Sequence, residues 1–342
     1  MASPAESRSE ITIDRSALRA NLRRLTDVLG RSELWAVVKA DAYGHGAKTV
    51  AETALDEGAR ALCVATVSEG LELRAGFPEA RIIVLSPPPS TEFRAAREGR
   101  LELFVAEELP DGVPLHLKVD TGMGRWGLSD AAATSEDVVG IASHLAAADV
   151  DPEFTELQID RFAEIASHLP GLTRSLANSA GIFRFPGALF DAARPGLALH
   201  GLSPYGTDPA EDGLRPVLSW GSGIGEVKLL APGESTGYHR RFVATEPTWI
   251  GIVPVGYADG WRRTLTGADV LVDGVRRRTV GTVSMDSFAV HLDGPVEPGT
   301  PVTLIGGELL AEEQALAAGT ITHDLVTGID SSPARATRIV TP

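Results

Sequence analysis

The sequence predicts an α/β fold: an N-terminal (β/α)8 TIM-like barrel over residues 10–212, followed by a mostly antiparallel β domain over residues 213–342. Three observations predict it. Short apolar runs alternate with helix-period segments through the N-terminal part of the chain, the pattern of repeated βα units with buried parallel strands. Past Gly213 the helical period gives way to β-type runs separated by Gly, Pro and Asp turns. Between the two textures, Ser203–Gly213 is rich in Pro, Gly and Asp and reads as the junction. So many βα units favour a closed barrel, with a doubly wound open sheet as the alternative.

In order along the chain, Ile11–Ile13 opens as a β-type run, and Asp14 stands where a helix N-cap is needed. Leu18, Leu22, Leu25 and Leu29 then recur at helical spacing. Leu34–Val38 is a compact strand, followed by a glycine-containing loop and a helix from Lys48 to Glu57. Further strands are predicted at Ala61–Ala65, Ile82–Leu85, Leu101–Val105, Leu115–Val119, Val138–Ser143 and Thr173–Leu176. The stretches from Phe104 to Leu115 and from Gly127 to Val138 are too short for full helices, so loops or single turns are expected there. In the β domain the runs are Ser219–Leu229, Thr248–Val255, Val270–Val272, Thr279–Val283, Phe288–Leu292 and Pro301–Leu304.

Composition narrows the partners. Lys+Arg number 31 against 46 Asp+Glu, a formal charge of −15 that repels phosphodiester backbones, so nucleic acid is not expected as a partner. No apolar run is long enough to span a membrane, and Met1–Ser9 lacks the apolar core of a secretory signal, so a cytoplasmic protein is expected. A single cysteine, Cys63, excludes an intrachain disulfide and a zinc site built on several thiolates, and no metal is expected.

Lysine is scarce, with four in the chain, and two of them (Lys39 and Lys118) lie at ends of predicted barrel strands. In Ala36-Val37-Val38-Lys39-Ala40-Asp41-Ala42-Tyr43-Gly44-His45-Gly46 a lysine emerges at the C-terminal end of an apolar strand, the catalytic face of a barrel. Partial burial there lowers an amine's pKa, as a Schiff-base lysine requires. A lone strand-end lysine is more often a snorkelling side chain, so the rest of the segment has to decide.

The whole segment closely resembles the pyridoxal-phosphate attachment segment of the alanine racemases. The resemblance implies a pyridoxal 5'-phosphate cofactor on Lys39, with Tyr43 bonded to its phosphate. A second segment, His116-Leu117-Lys118-Val119-Asp120-Thr121-Gly122-Met123-Gly124-Arg125-Trp126-Gly127, resembles a barrel-strand motif of the same family. It implies that Arg125 meets the cofactor's phenolic oxygen and the substrate carboxylate, and that Lys118 is carbamylated, an anion holding Arg125. His144 in His144-Leu145-Ala146 resembles the histidine that contacts the arginine beneath the cofactor ring. Asn178 and Ser179, and Arg194 with Gly196 and Leu197 in Arg194-Pro195-Gly196-Leu197, resemble the remaining cofactor-binding segments. There Ser179 and the Gly196 and Leu197 N–H groups are assigned to the phosphate, and Arg194 to the pyridine nitrogen. An arginine at that nitrogen disfavours its protonation, which suits proton removal and return over transamination.

In the β domain, Ser235-Thr236-Gly237-Tyr238-His239-Arg240 resembles the family's catalytic tyrosine segment, with His239 where a glycine is usual. Val255-Gly256-Tyr257-Ala258-Asp259-Gly260 and Val280-Gly281-Thr282-Val283-Ser284-Met285-Asp286 resemble the two segments that line the substrate site, through Tyr257 and the Met285 N–H. Racemisation needs one acid/base on each face of the substrate α-carbon, and Lys39 and Tyr238 are the two candidates. A phenol starts near a pKa of about 10 and needs nearby cations to serve as a base. The resemblance further implies L/D-alanine as substrate and a head-to-tail homodimer in which the tyrosine enters the partner's site. Near the C-terminus the likeness thins: no tyrosine stands near Ser331, where the family carries a phosphate contact. A racemase of other amino acids and a non-catalytic pyridoxal-phosphate binder are the alternatives. A decarboxylase on the same plan would need an acidic partner for the ring nitrogen, where this chain has Arg194.

Overall fold

The computed structural model describes residues 8–129 and 135–342. Its strands, in chain order, are β1 (Glu10–Asp14), β2 (Glu33–Val37), β3 (Ala61–Val64), β4 (Ile82–Val84), β5 (Glu102–Val105), β6 (Leu115–Lys118), β7 (Val138–Ala142), β8 (Thr173–Ser175), β9 (Ala192–Ala193), β10 (Leu218–Gly223), β11 (Glu226–Leu230), β12 (Ser235–Thr236), β13 (Phe242–Val243), β14 (Thr248–Val253), β15 (Asp269–Val272), β16 (Val275–Val280), β17 (Phe288–Leu292), β18 (Pro301–Ile305) and β19 (Thr337–Thr341). They fall into two compact units, Leu18–Arg215 on one hand and the residues up to Ala17 with Pro216–Pro342 on the other.

In the first unit β2 to β9 close into a barrel, each strand parallel to the next, and β9 pairs back to β2 through Glu33↔Ala192 and Leu34↔Ala193. The eighth strand is only two residues long, too short to leave a periodic signal in the sequence. Side chains alternate across each strand, and the inward set forms one cluster of Trp35, Val37, Ala61, Cys63, Ile83, Phe104, Ala142 and Ala192. At the strands' N-terminal ends a charged network adds to this filling. Arg81 lies 2.6 Å from Glu102 and 3.4 Å from Glu33, and His116 meets Glu102 at 2.8 Å. Among the described residues no helix joins β5 to β6, as the short spacing predicts. Part of the stretch between Gly127 and Val138 lies outside the described residues.

The second unit is a nine-stranded sheet in the order β11-β14-β17-β16-β15-β18-β10-β1-β19, antiparallel except where β1 runs parallel to β19. This corrects the expected boundary. Ile11–Ile13 does not open the barrel: β1 pairs with β10 (Ile11↔Trp220) and with β19 (Ile11↔Arg338), so both ends of the chain close one sheet. An isolated apolar run carries no information about which sheet completes its hydrogen bonds. Asp14 does cap the following helix, Arg15–Leu29, its Oδ1 accepting from Ala17 N at 3.0 Å, and Leu18, Leu22, Leu25 and Leu29 are all buried. The run Ser219–Leu229 breaks at Ile224–Gly225 into β10 and β11. Two helices of this unit, Ala311–Ala318 and Thr322–Thr327, are additional to the predicted elements. No helix among the described residues is long and apolar enough to cross a membrane.

Candidate active site

The inward set of the barrel strands continues past their C-terminal ends, and there it turns polar. Two residues beyond Val37 comes Lys39; two beyond His116, Lys118; two beyond Ala142, His144; two beyond Ala192, Arg194. Strand parity alone therefore gathers four of the sequence-predicted residues at one mouth.

Lys39 opens a feature that no sequence pattern announces. Ala40, Asp41, Ala42 and Tyr43 all lie in the left-handed region, at φ 52°, 51°, 53° and 56°. A left-handed turn of L-residues costs roughly 1–2 kcal/mol per residue, so the surroundings must hold it. Val38 O accepts from Ala42 N at 2.9 Å, Asp41 Oδ1 accepts from Ala47 N at 2.7 Å, and the Glu69 carboxylate accepts from Ala40 N at 2.8 Å. Burial lowers the pKa of the Lys39 ammonium, and the nearby Arg125 and Arg194 cations add to that, while Glu69 opposes it. Such an amine loses its proton more readily than a surface lysine.

Arg194 is almost fully buried, and its guanidinium bonds Ser175 Oγ, Ser143 O and Leu176 O (3.3 Å), with His144 Nδ1 at 3.5 Å. Burial pushes its pKa down to about 10, still protonated at neutral pH. Burial, then Arg194, lowers His144 well below the usual imidazole range, so its ring is neutral and accepts from the arginine. Gln158, on the helix Pro152–Ser167, sets that histidine's backbone: Nε2 donates to His144 O at 3.1 Å, and Oε1 accepts from Ala146 N at 2.8 Å. Burial, then Arg194 and Arg125, also lowers Lys118 to about 7. Arg125 projects from the loop after β6, where Leu128 N bonds Lys118 O at 2.9 Å and Asp120 accepts from Gly122 N (2.9 Å) and Gly124 N. Gly127 has φ +133° there, and a Cβ would lie 2.6 Å from Asp120 N.

Beside these cations lies a set of converging donors. Gly196 N and Ala198 N both point at Ser179 Oγ, at 3.1 and 3.2 Å. Leu197 sits between them, so it is Ala198 and not Leu197 that shares the serine with Gly196 in this arrangement. Gly196 has no room for a side chain, since a Cβ would meet Tyr43 Oη at 2.5 Å. Asn178 stands beside this serine: its Oδ1 caps the helix Ser179–Arg184 through Gly181 N at 3.0 Å, and its Nδ2 reaches Leu145 O at 3.3 Å. Burial pushes the Tyr43 phenol up to about 12, so it stays a hydrogen-bond donor. Its ring rests on His200, which in turn stacks on His45 with centroids 4.3 Å apart. His200 backs the phenol, a role its place in an apolar Leu-Ala-Leu-His run does not signal. An amine of lowered basicity beside a phenol and backbone N–H groups aimed at one oxygen is the donor set that an aldehyde-bearing phosphate ester requires, and pyridoxal phosphate fits it.

In the β unit the three predicted side chains are exposed: Tyr238 by 64%, Met285 by 51% and Tyr257 by 44%. Backbone contacts bring their segments together. Thr282 Oγ1 donates to Tyr238 O at 3.1 Å, Tyr257 N to Ser284 O at 3.0 Å and Ala258 N to Met285 O at 3.0 Å. Buried Asp259 accepts from Gly256 N at 2.8 Å and faces Arg8 and Arg335 at 3.5 and 3.4 Å, which holds the Tyr257 turn. His239, where a glycine is usual, takes φ 61°, and Arg240 φ 49°.

This geometry defines a class: proteins of barrel-plus-β-domain architecture with a partly desolvated lysine at a barrel strand end. Profiles of the alanine racemase N-terminal and C-terminal domains match residues 13–204 and 217–338. The chain is 40% identical to the alanine racemase of Streptomyces coelicolor, over 95% of this chain and 94% of that one. With alanine racemase 1 of Bacillus subtilis the identity is 37%, over 93% and 90%. The crystal structure of alanine racemase from D-cycloserine-producing Streptomyces lavendulae superposes with a TM-score of 0.91 at 33% identity, covering 99% of this chain and 98% of that one. The chain belongs to the alanine racemase family.

Proposed function

We propose that the chain interconverts L- and D-alanine with pyridoxal 5'-phosphate as cofactor, and that Lys39 and Tyr238 are its two acid/base groups. The observation that carries this reading is the desolvated Lys39 amine, lowered further by the Arg125 and Arg194 cations, together with the Ser179–Gly196–Ala198 donor cluster that follows Arg194 in the chain. Ser179, Gly196 and Tyr43 hold the phosphate, Arg194 lies at the ring nitrogen with His144 behind it, and Arg125 takes the substrate carboxylate. When bound, the cofactor supplies an aldehyde for amines and an electron-withdrawing ring that acidifies the substrate's α-proton. Lys39 Nζ, its basicity reduced by burial and like charges, takes or returns that proton on one face. Arg194 stays cationic throughout, so the ring nitrogen gains no proton from the protein.

Tyr238 Oη handles the proton on the other face. The exposure of Tyr238, Tyr257 and Met285 supports a homodimer in which a second copy covers them and Tyr238 of the partner subunit completes the site. Lys118, lowered to about 7, is uncharged often enough to take up carbon dioxide: its nitrogen bonds the carbon, one proton leaves to water, and the resulting carbamate holds Arg125. The test is incubation of the purified protein and pyridoxal phosphate with each L-amino acid, followed by chiral analysis. D-alanine as the main product supports the reading. A preference for another amino acid replaces the substrate, and no inversion of any refutes it.

A further inference from the structure

Glu69 lies on the helix Val67–Gly76, which follows β3, the strand beside the one that carries Lys39. At first sight it is half of a capping box. Thr66 Oγ1 accepts from Glu69 N at 3.2 Å, and Glu69 Oε2 reaches back to Thr66 N at 3.2 Å. The same oxygen also accepts from Ala65 N at 2.7 Å. A capping box leaves the second oxygen idle, but here Oε1 crosses to the neighbouring strand end and accepts from Ala40 N at 2.8 Å. Ala40 directly follows Lys39 and is the first residue of the left-handed turn. One carboxylate thus ties three backbone N–H groups from two strand ends, and a charged acceptor makes each of those bonds stronger than a neutral one would be.

We propose that Glu69 is the positioning residue for Lys39: its carboxylate, anchored at β3, clamps the Ala40 N–H and so fixes where the lysine amine leaves the barrel wall. The proposal rests on the reading of Lys39 as the cofactor-bearing amine. Glu69 touches no reacting atom. Its second effect is electrostatic: its charge raises the Lys39 pKa against the lowering by burial, Arg125 and Arg194, and the Cys63 thiol, pushed up to about 12 by burial, stays neutral.

The experiment compares full-length wild type, Glu69→Ala and Glu69→Gln. Two probes separate the amine from the phosphate cradle: pyridoxal phosphate, which condenses with Lys39, and pyridoxine phosphate, an alcohol that cannot. Glu69→Ala is expected to weaken pyridoxal phosphate by about tenfold or more while pyridoxine phosphate changes by less than about twofold. Glu69→Gln has a single acceptor oxygen, which can serve Ala40 N–H or the Ala65 and Thr66 N–H groups but not both, and it removes the negative charge. Its attachment of pyridoxal phosphate is therefore expected to be weakened less than that of Glu69→Ala and to begin at lower pH, because the amine sheds its proton sooner. Equal loss of both esters in Glu69→Ala, or loss of neither, overturns the proposal. Hydrogen exchange at Ala40 gives an independent reading: faster exchange in Glu69→Ala supports the clamp, and unchanged exchange overturns it. Wild type that binds neither ester would sink the functional reading, and the exchange result would still decide the clamp.

Discussion

The two groups of candidate residues, one in each unit, are built in opposite ways. In the barrel, Lys39, Lys118, His144 and Arg194 extend the inward-facing set of packed strands, and hydrogen bonds hold Arg194 and His144. In the β unit, Tyr238, Tyr257 and Met285 stand exposed on loops whose backbones are tied together but whose side chains have little around them. The barrel half spends its stability on holding like charges close together. The β half leaves its candidate side chains exposed and carries its strain in the backbone, at His239 and Arg240. Burial and desolvation shift the groups of the first, and in the proposed homodimer a second copy covers the second.

The largest effect should come from removing the buried amine. Lys39→Ala is expected to abolish the absorbance band of the lysine-attached cofactor and to cut turnover by about a thousandfold or more. A retained band would place attachment elsewhere. Next comes Tyr238→Phe, expected to slow solvent proton exchange in deuterated water by roughly 10²–10⁴-fold for one alanine enantiomer more than for the other. Because Tyr238→Phe keeps the ring and removes only a hydroxyl, it should leave the thermal midpoint nearly unchanged, in contrast with truncation of a buried barrel side chain. Symmetric, near-wild-type exchange would remove Tyr238 from the mechanism.

Arg194→Met should separate the halves through stability. It strands the Ser143 and Leu176 carbonyls, at a cost of about 1–3 kcal/mol per unpaired group, visible as a lower melting temperature with or without cofactor. Lys118 predicts a pH signature of the same buried character. Its folded pKa, about 7, lies below its unfolded value of 10.5, so the unfolded chain binds more protons between those values. Stability should therefore rise as pH climbs from about 7 toward 10.5 in bicarbonate-free buffer, and Lys118→Met should flatten that rise. Identical pH–stability curves would contradict the assignment. The smallest change is in the β half: His239→Gly relieves a φ of 61° and should stabilise by about 1 kcal/mol or less with activity kept.

What the sequence made legible follows the same division. Lys39 and Lys118 were readable as strand-end lysines and Arg194 through the resemblance of its segment, because contiguous motifs are local properties, and seven of the eight barrel strands carried enough apolar residues to register. The eighth, Ala192–Ala193, is too short, and the partners of Ile11–Ile13 lie at the far end of the chain. The left-handed run after Lys39 contains no glycine, so composition gave no hint of positive φ. Glu69 carried no signal in the sequence reading, because its bond to Ala40 exists only once two strands are neighbours. The shared serine of Gly196 and Ala198, and the His45–His200 stack behind Tyr43, are likewise tertiary facts.

The central claim is that a barrel lysine from one copy and a β-unit tyrosine from another act on one substrate. Mixing Lys39→Ala with Tyr238→Phe subunits tests it most directly, after unfolding and refolding them together. Each mixed dimer would then contain one site with both groups intact, so alanine racemisation should return well above that of either variant alone. A mixture as inactive as its parents, with mixed dimers shown to have formed, would contradict the account.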